Sequence, residues 1–490
     1  MRTAVAAALA LASGIFVFSA AVGIAGSRVA AGLLAALAAA LVAAWSRRRP
    51  PVPLDAAAAP RGLRVVSALA TAAALVQVGR LAVFIVAPSA VAFSSVPGSA
   101  WELRHSCLSA YAVAAEVVDS HPNVYDDALY SAPQDDPAKP RKPLRIGSFN
   151  VDVYEYPPQF LLLPRALRLA TPEFLDLRSL WFGLSGLTLL AALVAVARAR
   201  GPAAGTRALL LSPLVWVALP TLSTLQKGNF QVMAVALSML AMVCFARRRP
   251  AAGGALLAFM TVSKLFPGLL GIYLIARRDW RAVAWSAAFG VAFTAAALLD
   301  LGWAPFAAFV DHVPGLLSGQ SFPALRNPMA MAINFSIPGL AFKLKLFGVP
   351  GMGFGAAKWI GWIYTVIATA LVYAVGRRSL RAGERPQVWL AILVLATLRS
   401  PFLPQAYAAL PPLWLLTLLA ARRRPATGDL AALLGGWLLL NIYWPLDWPL
   451  DPRWLALLSL VPQALTIVLA LVALRLEPEP GPVPAPLPAT

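Results

Sequence analysis

The chain has 490 residues, of which 60% are hydrophobic and 13% are charged, and its mean hydropathy is +0.72. A soluble domain carries about 25% charged residues, and apolar stretches of about 18 residues recur here in greater number than one water-soluble core can bury. This composition excludes a soluble enzyme, a disordered scaffold and a collagen-like chain, and it predicts an integral membrane protein with many spans.

The net charge of +20 would suit a nucleic-acid partner, but its distribution excludes one. Arginine clusters at alternate membrane crossings mark cytoplasmic loops, and the clusters of this chain lie in short links between apolar stretches. They are Arg47–Arg49, Arg198/Arg200/Arg207, Arg247–Arg249, Arg277/Arg278/Arg281, Arg377/Arg378/Arg381/Arg385 and Arg422–Arg424. The pattern therefore predicts which loops face the cytoplasm, and it predicts no nucleic-acid partner.

Three regions follow one another along the chain. Residues 1–62 predict an additional transmembrane hairpin, retained rather than cleaved as a signal peptide, with a Pro- and Ala-rich cytoplasmic link. Residues 63–475 predict the main transmembrane domain, and residues 476–490 a Pro-rich cytoplasmic tail. Within the main domain, two long extracytoplasmic loops are predicted at about 88–178 and 303–355.

The apolar segments predict an all-α, polytopic transmembrane bundle. They are 4–25, 29–45, 64–87, 179–197, 208–222, 231–246, 251–262, 266–276, 282–302, 357–376, 387–398, 407–420, 428–443 and 454–475. The two segments within residues 251–276 are each shorter than a span of about 20 residues. They form either a tight pair of buried half-helices or a re-entrant hairpin, so 12–14 apolar segments are expected.

The first external loop concentrates the acidic residues. Eleven of the 21 in the chain lie there: Glu102, Glu116, Asp119, Asp126, Asp127, Asp135, Asp136, Asp152, Glu155, Glu173 and Asp176. Membrane topology does not explain these acids, because the orientation rule concerns basic residues. This loop is therefore the first place to look for chemistry.

Familiar catalytic fingerprints are missing from the sequence. It has no phosphate-binding glycine motif, no zinc-binding spacing of cysteine and histidine and no serine nucleophile elbow. ATP-driven transport and metallo-hydrolysis are disfavoured, and we expect no cofactor and assign no metal. The two cysteines, Cys107 and Cys244, do not predict a disulfide.

Polar residues gather instead at the outer ends of the apolar segments. They are Asp152, Tyr154, Glu155 and Tyr156 before a Pro pair, Asn229 and Gln231 in a polar turn, Lys264 at the tip of the short pair, Asn334 in the second loop, and Arg399. Each has a plainer interpretation: an interfacial aromatic belt with solvated acids, simple turns, a snorkelling lysine and an isolated salt bridge. Taken together, acids suited to proton abstraction and cations suited to a phosphate predict a site for a lipid-linked sugar phosphate.

The motifs resemble those of glycosyltransferase family 87, a C-type polytopic family that includes mannosyltransferases using polyprenyl-phosphate mannose. The resemblance is carried by Tyr111–Glu116 with Asn123–Tyr125, by Tyr154–Pro158, by Gly228–Val232, by Ser263–Pro267 with Arg277–Trp280, and more weakly by Asn334–Ser336 and Ser400–Tyr407. Two positions depart from the family pattern. Cys107 stands where the family usually has an aspartate, and Ala406 precedes Tyr407 where a histidine is expected.

The resemblance implies an integral membrane glycosyltransferase of the bacterial plasma membrane with an extracytoplasmic active site. It would transfer a hexose such as mannose from a polyprenyl-phosphate sugar to a hydroxyl of a glycolipid or glycan acceptor. We expect Glu102, Asp152 or Glu155 to be the base, and Lys264 and Arg399 to hold the donor phosphate. Substrate binding is expected from Tyr154, Tyr156, Asn229, Gln231 and Asn334.

Two other functions are consistent with the sequence. A transporter or flippase for lipid-linked sugars would place polar residues through the depth of many spans, whereas here they gather at one end. A catalytically inactive scaffold of the same fold is kept open by Cys107, because the expected base is missing at that position.

Overall fold

The computed structural model describes residues 1–133, 142–379 and 385–476. Asp135, Asp136, Arg381 and residues 477–490 of the predicted tail lie outside these ranges. Within them the chain is a helical bundle with one small sheet, which confirms the predicted all-α polytopic fold.

The helices of the first half of the chain are α1 (Arg2–Ala25), α2 (Arg28–Arg48), α3 (Arg61–Val86), α4 (Ala100–Arg104), α5 (Cys107–Val117), α6 (Leu162–Ala170), α7 (Phe174–Ala199), α8 (Pro202–Leu211), α9 (Pro213–Trp216), α10 (Leu219–Gln226) and α11 (Gln231–Ala246). Those of the second half are α12 (Pro250–Lys264), α13 (Gly268–Ala276), α14 (Trp280–Leu301), α15 (Ala304–Ser318), α16 (Pro328–Ala332), α17 (Gly339–Leu346), α18 (Phe354–Arg378), α19 (Pro386–Thr397), α20 (Gln405–Ala408), α21 (Leu410–Ala420), α22 (Thr427–Leu440) and α23 (Pro452–Arg475).

Among the described residues, seven helices are long and apolar enough to cross a membrane: α1, α2, α3, α7, α14, α18 and α23. An eighth span results if α8–α9 and α10, bent by 63° at their junction, are counted together. The outer faces of these helices carry large apolar side chains such as Leu37, Val291 and Ile363, which are 57%, 71% and 60% exposed. Faces of this kind require lipid around them.

The other apolar segments are shorter than the sequence suggests. Prolines at positions 213 and 220 divide one of them into α8, α9 and α10. The pair at 251–276 becomes α12 and α13, which meet at Leu265, a non-glycine residue with a positive φ of 55°. Since α13 has 9 residues, it is about 13 Å long, less than half of a hydrocarbon core of about 30 Å. The pair is therefore too short to form two spans, which agrees with both alternatives, buried half-helices and a re-entrant hairpin.

The arginine-rich turns come together at one end of the bundle. Arg207 donates hydrogen bonds to the carbonyl groups of Ala421 (2.8 Å) and Arg422 (3.0 Å), which joins two of these turns. Gly376 lies so close to α13 that an added Cβ would be 2.6 Å from Ala276, so the turns after α13 and α18 are also neighbours. From this end α11 and α12 run for 16 and 15 residues to Asn229 and Lys264, about 24 and 22 Å away.

The N-terminal hairpin is attached to the bundle through α1. An added Cβ at Gly183 would lie 2.5 Å from the Phe16 carbonyl oxygen, and one at Gly186 would lie 2.2 Å from the Phe16 ring. Small residues of this kind let membrane helices approach closely. In contrast, α2 packs mainly on α1 and is largely exposed. The division predicted at residue 62 stays a proposal.

The two predicted loops correspond to the connections between α3 and α7 and between α14 and α18. The first connection contains a three-stranded sheet of β1 (His105–Ser106), β2 (Arg145–Ile146) and β3 (Phe149–Val151), with β3 in the middle. Because β1 is parallel to β3 and pairs Ser106 with Val151, the residues that follow the two strands, Cys107 and Asp152, lie side by side.

Candidate functional site

A cavity of about 1450 Å³ lies between the two loop connections, at the end of the bundle opposite to the arginine clusters. Its wall includes seven of the predicted site residues: Asp152, Glu155, Tyr156, Asn229, Gln231, Lys264 and Arg399. Three others, Glu102, Tyr154 and Asn334, do not line it. The cavity thus brings together acids from one loop and cations from two helix ends.

Asp152 presents its carboxylate to the cavity from the end of β3. Its backbone N–H donates to Ser109 Oγ (3.0 Å), and its Oδ1 accepts a hydrogen bond from the backbone N–H of Val153 (3.0 Å). Its Oδ2 lies 3.7 Å from His105 Nε2, beyond hydrogen-bond distance, and the side chain is 33% exposed. This carboxylate is fixed in position but has an oxygen free to accept a proton from a bound molecule.

Cys107 lies beside Asp152, with its sulfur surrounded by polar groups. Sγ is 3.0 Å from the Tyr407 hydroxyl and accepts a hydrogen bond from Asn229 Nδ2 (3.3 Å). Burial, together with the nearby Asp152 charge, raises the pKa of the Cys107 thiol to about 12. The thiol is therefore protonated near neutral pH, and it does not replace a carboxylate as a base.

Lys264 ends α12 and points its ammonium into the same cavity. Nζ donates to the Tyr156 hydroxyl (3.0 Å) and to Asn229 Oδ1 (3.4 Å), and it lies 4.9 Å from the centre of the Tyr156 ring. None of these partners is an acid, and burial lowers the pKa of Lys264 to about 7. An anion that enters the cavity can pair with this lysine and favours its charged form.

Arg399 and Arg326 provide two more cations in the cavity wall. The Arg399 guanidinium donates from Nε to Thr365 Oγ1 and lies 5.8 Å from the Trp362 ring centre. These contacts hold the group in place and leave its terminal nitrogens for a ligand. Arg326, which sequence analysis did not single out, is exposed at the cavity rim.

Glu155 and His312 are hydrogen-bonded at the edge of the cavity, with 2.7 Å between Oε2 and Nε2. The second carboxylate oxygen, Oε1, is buried without a hydrogen-bond partner. Burial raises the pKa of Glu155 to about 7, although His312 opposes the shift. Glu155 is thus half ionised near neutral pH, which makes it a proton-exchanging group in a cavity that also contains Asp152.

Glu102 lies behind the cavity wall, fully buried. Its Oε1 is 2.7 Å from Lys227 Nζ and accepts from the Tyr443 hydroxyl, while Oε2 accepts from Ser223 Oγ (2.8 Å). Burial alone would raise the pKa of Glu102, but the Lys227 charge and these hydrogen bonds hold it below its ordinary value. With both oxygens engaged, this carboxylate has the surroundings of a structural ion pair, in contrast to the expected base.

Two residues predicted to bind substrate are instead buried in the protein. The Tyr154 hydroxyl donates to the Pro157 carbonyl (3.0 Å), and the side chain is fully buried. The Asn334 amide donates to the Pro401 carbonyl (2.9 Å) and accepts from the Leu403 N–H (3.0 Å). Asn334 therefore supports the segment after Arg399 and does not contact the cavity.

The sequence profile of glycosyltransferase family 87 matches residues 154–401, half of the chain. The chain belongs to glycosyltransferase family 87. It is accordingly a multi-pass membrane glycosyltransferase. Neither a curated protein nor a solved structure matches the chain.

The family match covers only part of the cavity wall. It includes Glu155, Lys264 and Arg399 but begins after Asp152 and leaves out Cys107. The placement of Asp152 and Cys107 in this family 87 cavity is thus given by the structure and lies outside the family match.

Two contacts of the cavity region join residues that are far apart in the sequence. His312 is separated from Glu155 by 157 residues, and Tyr407 is separated from Cys107 by 300 residues. No local pattern signals such pairs. His105, in contrast, is two residues from Cys107, and this proximity in the sequence indicates that it lies near the position where the family has an aspartate.

The ionisation of Glu155 predicts how stability changes with pH. In the unfolded chain this carboxyl ionises near 4.5, whereas in the fold the pKa is about 7. Ionisation in that window therefore destabilises the fold as pH rises. Relative to wild type, Glu155→Gln should be similar in melting temperature at pH 5 and higher at pH 8. Thermal unfolding in detergent at both pH values measures this.

The exposed Glu173 is the matched control, and Glu173→Gln should show no pH-dependent difference from wild type. A Glu155→Gln variant that loses stability relative to wild type between pH 5 and 8 would contradict the assignment.

Proposed function

We propose that the enzyme transfers a hexose, such as mannose, from a polyprenyl-phosphate donor to a hydroxyl of a glycolipid or glycan acceptor. The observation that carries the proposal is the joint exposure of Asp152, Lys264 and Arg399 in one cavity. Glycosyl transfer from a phosphate donor requires a carboxylate near the acceptor hydroxyl and cations near the departing phosphate.

Asp152 is the base in this mechanism. The acceptor hydroxyl gives its proton to Oδ2, and its oxygen forms a bond to the anomeric carbon of the donor sugar. The bond between that carbon and the phosphate oxygen breaks, and the phosphate keeps the electron pair. A positioned base of this kind contributes about 10²–10⁴-fold in rate.

Lys264 and Arg399 stabilise the charge of the departing phosphate. Charge-assisted hydrogen bonds to phosphate are stronger than neutral ones, and the protein cavity strengthens them further by excluding water. Tyr156 and Asn229 hold the Lys264 ammonium, and Gln231 adds an amide to the same wall. Glu155 is a second acid that can exchange protons with the acceptor side.

The apolar part of the cavity suits the isoprenoid chain of the donor. Below Arg399 the wall is made by side chains of α13, α18 and α19: Leu269, Trp362, Ala368 and Leu395. The outer face of α18 is exposed to lipid. A polyprenyl chain can therefore lie along this wall and extend into the bilayer while its phosphate reaches the cations.

The structure favours an enzyme over a transporter. All twelve residues of α19, which runs from Arg385 at the arginine end to the cavity, are buried. A flippase needs a polar path through the depth of the membrane, whereas α19 is apolar between Gln387 and Thr397 near its two ends. The free carboxylate of Asp152 likewise argues against an inactive scaffold, because Cys107 does not remove the only acid in the cavity.

The base assignment predicts opposite phenotypes for two carboxylates. Asp152→Asn should lower turnover by about 10²–10⁴-fold with little change in melting temperature or donor binding. Glu102→Gln should instead lower the melting temperature, because it leaves Lys227 buried without its partner, a loss worth about 3–5 kcal/mol. The assay uses purified protein, radiolabelled polyprenyl-phosphate sugars and membrane acceptors.

The control is Asp127→Asn, which changes an exposed acid in the same cavity wall and should leave turnover close to wild type. Turnover of Asp152→Asn within about threefold of wild type, far less than a lost base costs, would show that Asp152 is not the base.

The phosphate-binding role predicts that Lys264→Ala loses turnover by about 10²-fold while the protein still accumulates in the membrane. Lys264→Arg should rescue it poorly, because the larger planar group does not fit between Tyr156 and Asn229. The control Lys345→Ala, at an exposed lysine of α17, should remain active. Near-wild-type turnover of Lys264→Ala would make this lysine a structural residue only.

We further propose that the cavity opens on the extracytoplasmic side of a bacterial plasma membrane, because arginine-rich ends stay in the cytoplasm. Single cysteines at the exposed positions Asn123 and Gln320 should react with an impermeant thiol reagent added outside, in a background without Cys107 and Cys244. Cysteines at Arg248 and Arg423 should react only after permeabilisation. Labelling of position 248 from outside would reverse the proposed orientation.

A further inference from the structure

We propose that His105, Cys107 and Asp152 together form a binding site for a transition-metal ion of the zinc class, and that its occupation inhibits glycosyl transfer. The sequence gives no expectation of such a site, because its third donor is 45 residues from the second. The sheet brings the three donors together. The binding claim stands on its own geometry, whereas the inhibition rests on the proposed role of Asp152.

The three donor atoms lie close to the separations that a tetrahedral ion requires. His105 Nε2 lies 3.7 Å from Cys107 Sγ and 3.7 Å from Asp152 Oδ2, and all three atoms lie within 4.8 Å of one another. Zinc bonds of about 2.0–2.3 Å to nitrogen, oxygen and sulfur, at tetrahedral angles, place such donors about 3.4–3.6 Å apart. The two pairs that include His105 need shifts of a few tenths of an ångström, and the pair of Asp152 and Cys107, within 4.8 Å, needs a shift of at most about 1.2 Å to reach that spacing.

The backbone holds these donors on fixed elements. His105 is in β1, Cys107 begins α5, and Asp152 follows β3, the strand paired with β1. The ring of His105 is further stacked on Trp101, with 4.6 Å between the ring centres. A site assembled from paired strands in this way loses little freedom when an ion binds.

Two of the donor atoms already share one polar neighbour. The Tyr407 hydroxyl lies 3.0 Å from Cys107 Sγ and 3.1 Å from His105 Nε2, so both atoms face the same space. A metal ion would replace this hydroxyl as their shared partner. Asn229, which donates to Sγ at 3.3 Å, would stabilise the thiolate that a bound metal requires.

The chemistry of the donors selects the kind of ion. One thiolate, one imidazole and one carboxylate suit Zn²⁺ or Co²⁺, whereas Mg²⁺ and Ca²⁺ prefer oxygen ligands. All three residues line the cavity, which leaves a fourth position for water. An ion bound there coordinates the Asp152 carboxylate, and the carboxylate then cannot act as the base.

Cobalt binding to the purified protein tests the site without any sugar donor. Titration with Co²⁺ should produce a sulfur-to-cobalt charge-transfer absorption in the near ultraviolet, and Zn²⁺ but not Mg²⁺ should abolish it. Cys107→Ser should abolish the absorption, and Cys244→Ser is the matched control that should keep it, since these are the two cysteines of the chain. His105→Ala should weaken cobalt binding by about tenfold or more.

Two results would overturn the binding proposal: no charge-transfer absorption in wild type, or an absorption that persists in Cys107→Ser. Far-ultraviolet circular dichroism of each variant shows whether it is folded, and Asp152→Asn, which keeps the sulfur, should shift the cobalt affinity without removing the absorption.

The inhibition is tested separately by comparing the turnover of each protein with and without Zn²⁺. Wild type and Cys244→Ser should be inhibited at the zinc concentrations that displace cobalt, and Cys107→Ser should resist them. Equal inhibition of wild type and Cys107→Ser would overturn this part. If no polyprenyl-phosphate sugar is a donor at all, the proposed function fails, while the cobalt result still decides the metal site.

Discussion

The buried ion pair between Glu102 and Lys227 fixes the relation between the first external loop and the membrane helices. Both side chains are at most 4% exposed, with 2.7 Å between their charged atoms. Buried charges of this kind are tolerated only when paired, and removal of one partner costs about 3–5 kcal/mol. The Lys227 carbonyl also accepts from the backbone N–H of Leu108 (3.3 Å), and Gly228, with φ of +66°, leaves 2.9 Å between an added Cβ and Leu108. The segment that follows Glu102 in the chain and lines the cavity is thereby held against the turn that carries Asn229.

A second constraint comes from the length of the helices on the other side of the cavity. With 16 and 15 residues, α11 and α12 end about 22–24 Å from the arginine end, short of a bilayer core of about 30 Å. Polar groups at their ends would face hydrocarbon if nothing covered them. The loop between α3 and α7 covers them with Tyr111, Tyr156 and Phe160, whose rings pack on one another. The same short helices therefore make room for a polar cavity within the membrane zone and require the loop that closes it.

These two constraints explain what the sequence could and could not predict. Arginine clusters and apolar runs act locally, so the bundle, its two ends and the break at Lys264 were predictable. Lys264 is recognisable because a cation inside an apolar run is costly, whatever its neighbours are. The role of Glu102 was not predictable, because its surroundings depend on Lys227, 125 residues away. Asn334 shows the same limit. The sequence places this polar residue in a loop, where it could bind substrate, but its amide donates to the distant carbonyl of Pro401.

The parallel pairing of β1 and β3 also explains how the enzyme retains an acid although Cys107 occupies the position where family resemblance places an aspartate. A residue after β1 and a residue after β3 reach the same point, since the pairing puts Ser106 opposite Val151. The Asp152 carboxylate consequently lies within 4.8 Å of the Cys107 sulfur. A carboxylate that is absent from one strand end can therefore be supplied from the other. The cysteine is then free to take another role, and a soft sulfur donor beside a histidine and a carboxylate gives this cavity a metal-binding chemistry that two carboxylates would not have.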